Sequence, residues 1–160
     1  MSIKEGDKIP TVTLKHKTAD GIKDITTTEL FSGKKVVLFA VPGAFTPTCS
    51  AKHLPGFISK AAEIKAKGVD VIACVSVNDV FVMDAWGTNQ NVGSEIMMLA
   101  DGSADLAKAL GQELDLVEKG MGIRSTRYAI IIDNGIVTNM LSEAPGAFEV
   151  SSAEYVLSKL

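Results

Sequence analysis

Two kinds of apolar pattern alternate along the chain. Residues 34–41, KKVVLFAV, and residues 69–77, VDVIACVSV, are short continuous apolar runs rich in β-branched side chains, which suits strands covered on both faces. Between them Leu54, Phe57, Ile58, Ala61 and Ile64 recur at spacings of three and four. That periodicity predicts a helix with one apolar stripe, closed by Gly68 after Lys65 and Lys67. A helix between two such strands makes a right-handed βαβ unit with the strands parallel. Pro55 lies inside the helical pattern and removes the bond to the carbonyl of Ala51, so a kink is expected there.

The flanking segments extend this plan. TVTLKHK and GIKDIT surround Thr18-Ala19-Asp20-Gly21, which predicts an N-terminal hairpin at the edge of the sheet. Thr26 with Glu29 three residues on is a capping-box signature for a short helix that Gly33 closes. Downstream, VFVMDAW reads as a helix, IMMLA as a strand, and ADLAKAL as a helix capped by Ser103 and ended by Gly111. YAIII and IVTNML flank Asp133-Asn134-Gly135, a strong hairpin signal, and Ser151 with Glu154 is expected to cap a final helix. The segment EKGMGIRSTR is only glycine-punctuated. Together these elements predict an α/β three-layer sandwich of thioredoxin-like plan, with a mixed central sheet and an N-terminal hairpin extension.

Length and charge narrow the picture. The 160 residues carry no linker, repeat or low-complexity tract, so residues 1–160 are expected to form one domain. A net charge of -3 with dispersed basic residues argues against nucleic acid or an anionic membrane as the main partner. No apolar run approaches the ~20 residues of a membrane helix, and MSIKEGDK lacks the apolar core of a signal peptide. The expected location is cytoplasmic, or organellar had a transit peptide preceded this sequence. Two cysteines without a secretory signal suit a redox or buried role better than a disulfide framework.

One of those cysteines stands where a strand meets a helix, in PGAFTPTCS. Thr46 is a good N-cap, Pro47 fits N1, and Cys49 then falls at N3, where unpaired amides and the helix dipole favour an anion. A thiolate is the nucleophile in sulfur chemistry. Lys52 and His53, three and four residues on, are expected to add positive potential near the sulfur. The Thr46 hydroxyl has three uses open to it: accepting from the Cys49 amide as a plain cap, donating to the sulfur, or meeting a substrate oxygen. Pro42 and Phe45 either shape the turn or wall the sulfur off from bulk water. Of sixteen basic residues only Arg124 and Arg127 are arginine, three apart just before YAIII. Their planar forks suit holding a thiolate and an oxygen-bearing substrate together, and equally suit a structural ion pair. Cys49 and His53 have a helical ligand spacing, yet no second pair completes four metal ligands, and no cofactor is expected.

Pro42, Thr46 and Cys49 match the Pro-x-x-x-Thr-x-x-Cys signature of the peroxiredoxins, and PGAFTPTCS with His53-Leu54-Pro55-Gly56 resembles the peroxiredoxin-5 or plant type II subgroup. SVNDVFVMDAWG, RSTRYAIIIDNGIV and SSAEYVLSKL extend the likeness over essentially the whole chain. The resemblance implies a thiol peroxidase acting on hydrogen peroxide and organic hydroperoxides through a Cys49 sulfenic acid. It makes Arg127 the site arginine, with Arg124 supporting. It also implies recycling by glutaredoxin with glutathione, or by thioredoxin, and a homodimer, to which Phe45, Val80, Phe81, Met83 and Trp86 either supply an apolar surface or else belong to the core. Cys74 matches a cysteine that some members carry. It is either a resolving thiol or, centred in a β-branched strand, an inert small hydrophobe. Two rivals stand beside this reading. A dithiol oxidoreductase needs a Cys-x-x-Cys where this chain has Thr46-Pro47-Thr48-Cys49, and a redox sensor would use Cys49 oxidation to alter a binding surface.

Overall fold

The run of residues 34–41 forms an interior strand of the sheet, next to its middle strand. In a computed structural model describing residues 2–160, strand β3 (Lys35–Ala40) pairs in parallel with β4 (Val71–Ser76) and antiparallel with β8 (Tyr128–Asp133). Its alternate residues serve two cores: Val37, Phe39 and Val41 enter one, while Val36, Leu38 and Ala40 enter the other. This two-sided burial is why the strand reads as one continuous apolar run. The seven-stranded mixed sheet has the order β2-β1-β5-β4-β3-β8-β9, in which β1 (Thr13–Thr18) and β2 (Gly21–Thr26) form the expected edge hairpin, β5 spans Met97–Ala100 and β9 spans Ile136–Ser142. With helices over both cores, this is a thioredoxin-like α/β fold.

Helices α2 (Leu54–Ala66), α3 (Val80–Asn89) and α5 (Ala153–Lys159) cover the first core. Burial of Leu54, Phe57 and Ile64 from α2 contributes roughly 1.5–3 kcal/mol for each side chain. Helices α1 (Thr27–Phe31) and α4 (Asp105–Ala109) cover the second. The capping box at Thr26 and Glu29 is made. The β8–β9 turn places Asn134 and Gly135 at φ 49° and 81°, as a two-residue hairpin loop requires. Among the described residues no helix is long and apolar enough to cross a membrane.

Several local expectations are corrected. Ser103 does not cap α4. Ala104 precedes that helix with φ 62°, and the Asp101 carboxylate reaches forward to accept from the amides of Leu106 and Ala107 at 3.0 and 2.9 Å. The final helix is capped by Ser152, which accepts from the Tyr155 amide at 3.2 Å, because Ser151 is held elsewhere by Glu143. The glycine-punctuated segment includes part of a second, two-stranded sheet of β6 (Glu113–Leu116) and β7 (Gly122–Ser125). β6 alternates over only four residues, and β7 opens on a glycine and does not alternate in burial, so neither gives a periodic signal long enough to read. Of the five residues that fitted either an apolar surface or the core, Val80, Met83 and Trp86 are core, and Phe45 and Phe81 are exposed.

Candidate active site

The chain leaves the C-terminal end of β3 through residues 42–46 and re-enters a helix at Pro47, with the Ser50 amide bonding the Thr46 carbonyl at 2.9 Å. From Cys49 to His53 the helix widens into a π turn, where the Leu54 amide bonds the Cys49 carbonyl. The Pro55 ring cannot donate and would crowd the Ala51 carbonyl in a regular ladder. The kink expected at Pro55 therefore takes the form of a widened turn just before it, a feature frequent at functional sites. The turn is tied down from outside as well. Trp86 of α3 donates its indole N–H to the Ser50 hydroxyl at 3.0 Å, and the Ala44 amide donates to the Asn78 side chain at 3.0 Å.

Cys49 is fully buried, and its sulfur accepts from Arg127 Nη2 at 3.1 Å. The other arm of the same guanidinium, Nη1, donates to His53 Nδ1 at 2.8 Å. His53 in turn donates from Nε2 to the Ser151 carbonyl at 2.9 Å. Burial, and next the Arg127 guanidinium, hold the imidazole pKa down at about 3. His53 is therefore neutral, and the expectation that it adds positive charge beside the sulfur is corrected: it orients the arginine that carries the charge. Lys52 points to solvent. Phe148 packs on both partners, its ring 5.0 Å from the His53 ring and 5.8 Å from Arg127 Cζ.

Thr46 makes a fourth kind of bond. Its hydroxyl donates to the Gly43 carbonyl at 2.6 Å, closing the turn and leaving oxygen lone pairs to accept. Gly43 is needed for that closeness: a Cβ there would stand 3.1 Å from Thr46 Cγ2 and 3.2 Å from Arg124 Nη1. Arg124 thus braces the turn, anchored by Nε to the Met121 carbonyl at 2.8 Å. Phe45 adopts φ 64°, unusual for a bulky residue, and packs toward Trp86 with 52% of its surface exposed. It is not a wall sealing the sulfur. Pro42 is half-buried at the end of β3.

Cys74 lies in the middle of β4 beside Phe39 of β3 and Met98 of β5, fully buried, and both cysteines are free thiols. Burial, with the Cys49 charge adding to it, pushes the Cys74 thiol well above its ordinary range. Of Cys49, Thr46 and Arg127, to which the sequence pointed, the fold sets Arg127 on Cys49, while the Thr46 hydroxyl is bonded to Gly43 in the turn just before. Nothing in the sequence marked Glu143, Phe148 or Ser151 as neighbours, because the loop carrying them is distant in the chain and has no periodic pattern.

A buried thiol at the start of a helix, held by an arginine that immediately precedes β8 of a thioredoxin-like sheet, defines a thiol redox protein. Residues 4–157 match the redoxin family model. The chain is 53% identical to peroxiredoxin-2E, chloroplastic, of Arabidopsis thaliana, over 99% of this chain and 70% of that one. It superposes with TM-score 0.95 and 58% identity on reduced Prx3 in complex with H2O2 from Vibrio vulnificus, covering 98% of each chain. Peroxiredoxin 5 from Alvinella pompejana gives TM-score 0.87 at 35% identity, over 98% of this chain and 96% of that one. The chain belongs to the redoxin family, as a peroxiredoxin of the peroxiredoxin-5 and plant type II group. Thiol-dependent peroxide reduction comes with that membership.

Proposed function

We propose that Cys49 is the peroxidatic residue and that it reduces hydrogen peroxide and organic hydroperoxides through a sulfenic acid. The observation that carries this is the Arg127 guanidinium, one N–H on the Cys49 sulfur at 3.1 Å. The thiolate attacks the terminal oxygen of the hydroperoxide in line with the O–O bond. The S–O bond forms, the O–O bond breaks, and its electron pair leaves on the alkoxide or hydroxide, which takes up a proton. Negative charge moves from sulfur to oxygen along this path, and a preorganised fork beside the sulfur stabilises both ends without reorientation. Thr46, its proton committed to Gly43, accepts from the O–H of the incoming peroxide. Pro42 and Arg124 shape and brace the turn.

Sulfenic acid left unresolved proceeds to sulfinic acid, so a second thiol is required. An external one, glutaredoxin with glutathione or thioredoxin, is the better-supported resolver. Cys74 is held in a regular strand with its thiol disfavoured from ionising, and joining it to Cys49 needs the π turn to unwind. A homodimer through the face that exposes Phe45 and Phe81 belongs to the same reading, as does action in the cytoplasm or, after removal of a transit peptide, in an organelle.

The test is intact mass of the reduced protein after one equivalent of hydroperoxide, quenched in acid, with Cys49→Ser alongside. Gain of one oxygen in the parent alone, trappable by a small thiol, is the expected result. Loss of two hydrogens without a dimer mass would instead make Cys74 the resolving residue. Oxidation in Cys49→Ser equal to the parent would sink the assignment.

A further inference from the structure

The hydrogen bonds around Arg127 close into a ring whose far member the peroxidase chemistry does not use. Arg127 Nη1 donates to His53 Nδ1, and His53 Nε2 donates to the Ser151 carbonyl. The Ser151 amide and hydroxyl both donate to one oxygen of Glu143, at 2.8 and 2.7 Å, and that oxygen also accepts from the Glu149 amide at 2.7 Å. The ring then returns to its start, because the Glu143 amide donates to the carbonyl of Arg127 itself at 3.1 Å. Glu143 follows β9 directly, across from the residue that precedes β8. One carboxylate thus gathers the loop of residues 143–152 and holds its Ser151 carbonyl against a fully buried imidazole.

We propose that Glu143 is a positioning residue for the Cys49 site, acting through Ser151 and His53 to keep the Arg127 guanidinium aimed at the sulfur; this rests on the peroxidase reading. The physical reason is the histidine tautomer. A neutral imidazole has one donor nitrogen and one acceptor, and the bond made by one decides the role of the other. With the Ser151 carbonyl in place, Nε2 carries the proton and Nδ1 is the acceptor Arg127 needs. Without it the proton is free to move to Nδ1, which then faces the guanidinium donor to donor. An arginine released from that bond regains its rotamer freedom and presents the sulfur with a wandering charge. The same loop carries Phe148, whose ring backs both His53 and Arg127, so loosening it removes two supports together.

The variants Glu143→Ala and Glu143→Gln separate hydrogen-bond geometry from charge, since glutamine keeps an acceptor oxygen for Ser151 while losing the charge. Three readouts apply: the nitrogen chemical shifts of His53, the pH profile of iodoacetamide labelling at Cys49, and peroxide turnover with a saturating thiol reductant. In Glu143→Ala the His53 signals are expected to move toward a tautomer mixture, the labelling profile to shift to higher pH, and kcat/KM for peroxide to fall roughly tenfold, the size of one hydrogen bond to a charged group. Glu143→Gln is expected to stay within about twofold of the parent, on the same basis. An alanine variant with parental tautomer and labelling profile would overturn the proposal, as would equal impairment of both variants. A parent protein that turns over no peroxide would sink the peroxidase reading instead, and the tautomer and labelling results would still decide the ring.

Discussion

Cys49 and Cys74 are both sealed from solvent and both face the same core, yet their surroundings prepare them for opposite fates. Cys74 sits in a regular strand, flanked in register by Phe39 and Met98, where burial, with the Cys49 charge adding to it, outweighs the help of Arg127 and holds the thiol protonated. Cys49 sits in a widened helical turn with a guanidinium N–H on its sulfur. Burial is common to the two, so burial is not what distinguishes them. What differs is a donor aimed at the sulfur, beside an irregular stretch of backbone, from an arginine whose other arm is bonded to His53.

The widest separation between the regions should come from replacing each nucleophile in turn. Cys49→Ser is expected to lower peroxide kcat/KM by at least about 10⁴-fold, as removing a nucleophile does elsewhere. Cys74→Ser should leave turnover with glutaredoxin or thioredoxin within about twofold of the parent, a surface-like effect on the chemistry. A collapse in the second variant would erase the contrast and make Cys74 part of the cycle. Next in size, Arg127→Lys keeps the charge but loses the fork that serves sulfur and His53 at once, and a fall of roughly 10²–10³ in kcat/KM is expected. Stopped-flow turnover near the parental rate would show that charge alone suffices.

The pH dependence of stability sharpens the comparison from another side. His53 has its pKa lowered from 6.5 to about 3 on folding, so between those values the unfolded chain binds the proton and the native one does not. The stabilisation is fully present above about pH 6.5 and is lost progressively as pH falls toward 3, a few kcal/mol in order of magnitude. Urea midpoints measured from pH 7 to 4 should therefore fall in the parent and flatten in His53→Gln. Parallel curves would mean that the imidazole is not held neutral. The smallest effect belongs to Cys74→Ala, which removes one buried sulfur from a close-packed strand and should cost about 1 kcal/mol with activity intact. A much larger loss in thermal unfolding would mean that the strand depends on the thiol for more than packing.

Much of the scaffold was legible before any coordinates. The continuous runs at residues 34–41 and 69–77, the helical stripe from Leu54 to Ile64, the Asp133-Asn134-Gly135 turn and the Thr26 capping box each carry a local signal strong enough to survive tertiary context. Caps were less secure. Ser103 and Ser151 both fit a capping pattern, but Asp101 reached α4 from outside its first turn and Glu143 took Ser151 away. Local spacing cannot register competition from a residue brought in by the fold.

The same division runs through the site. The sequence alone determined that a cysteine follows a buried strand at the first turn of a helix, that Pro55 disturbs that helix, and that two arginines stand together before a strand, because each of these is a matter of near neighbours in the chain. Only the tertiary structure decided what those residues do to one another. It set Arg127 on Cys49 across 78 residues of chain, made His53 neutral where its position on the helix suggested a positive charge, turned the Thr46 proton to Gly43, and placed Glu143 behind them all. Burial and hydrogen-bond direction depend on which side chains arrive from elsewhere, and that information is spread over β3, β8, β9 and the loop before α5 rather than stored in any single stretch.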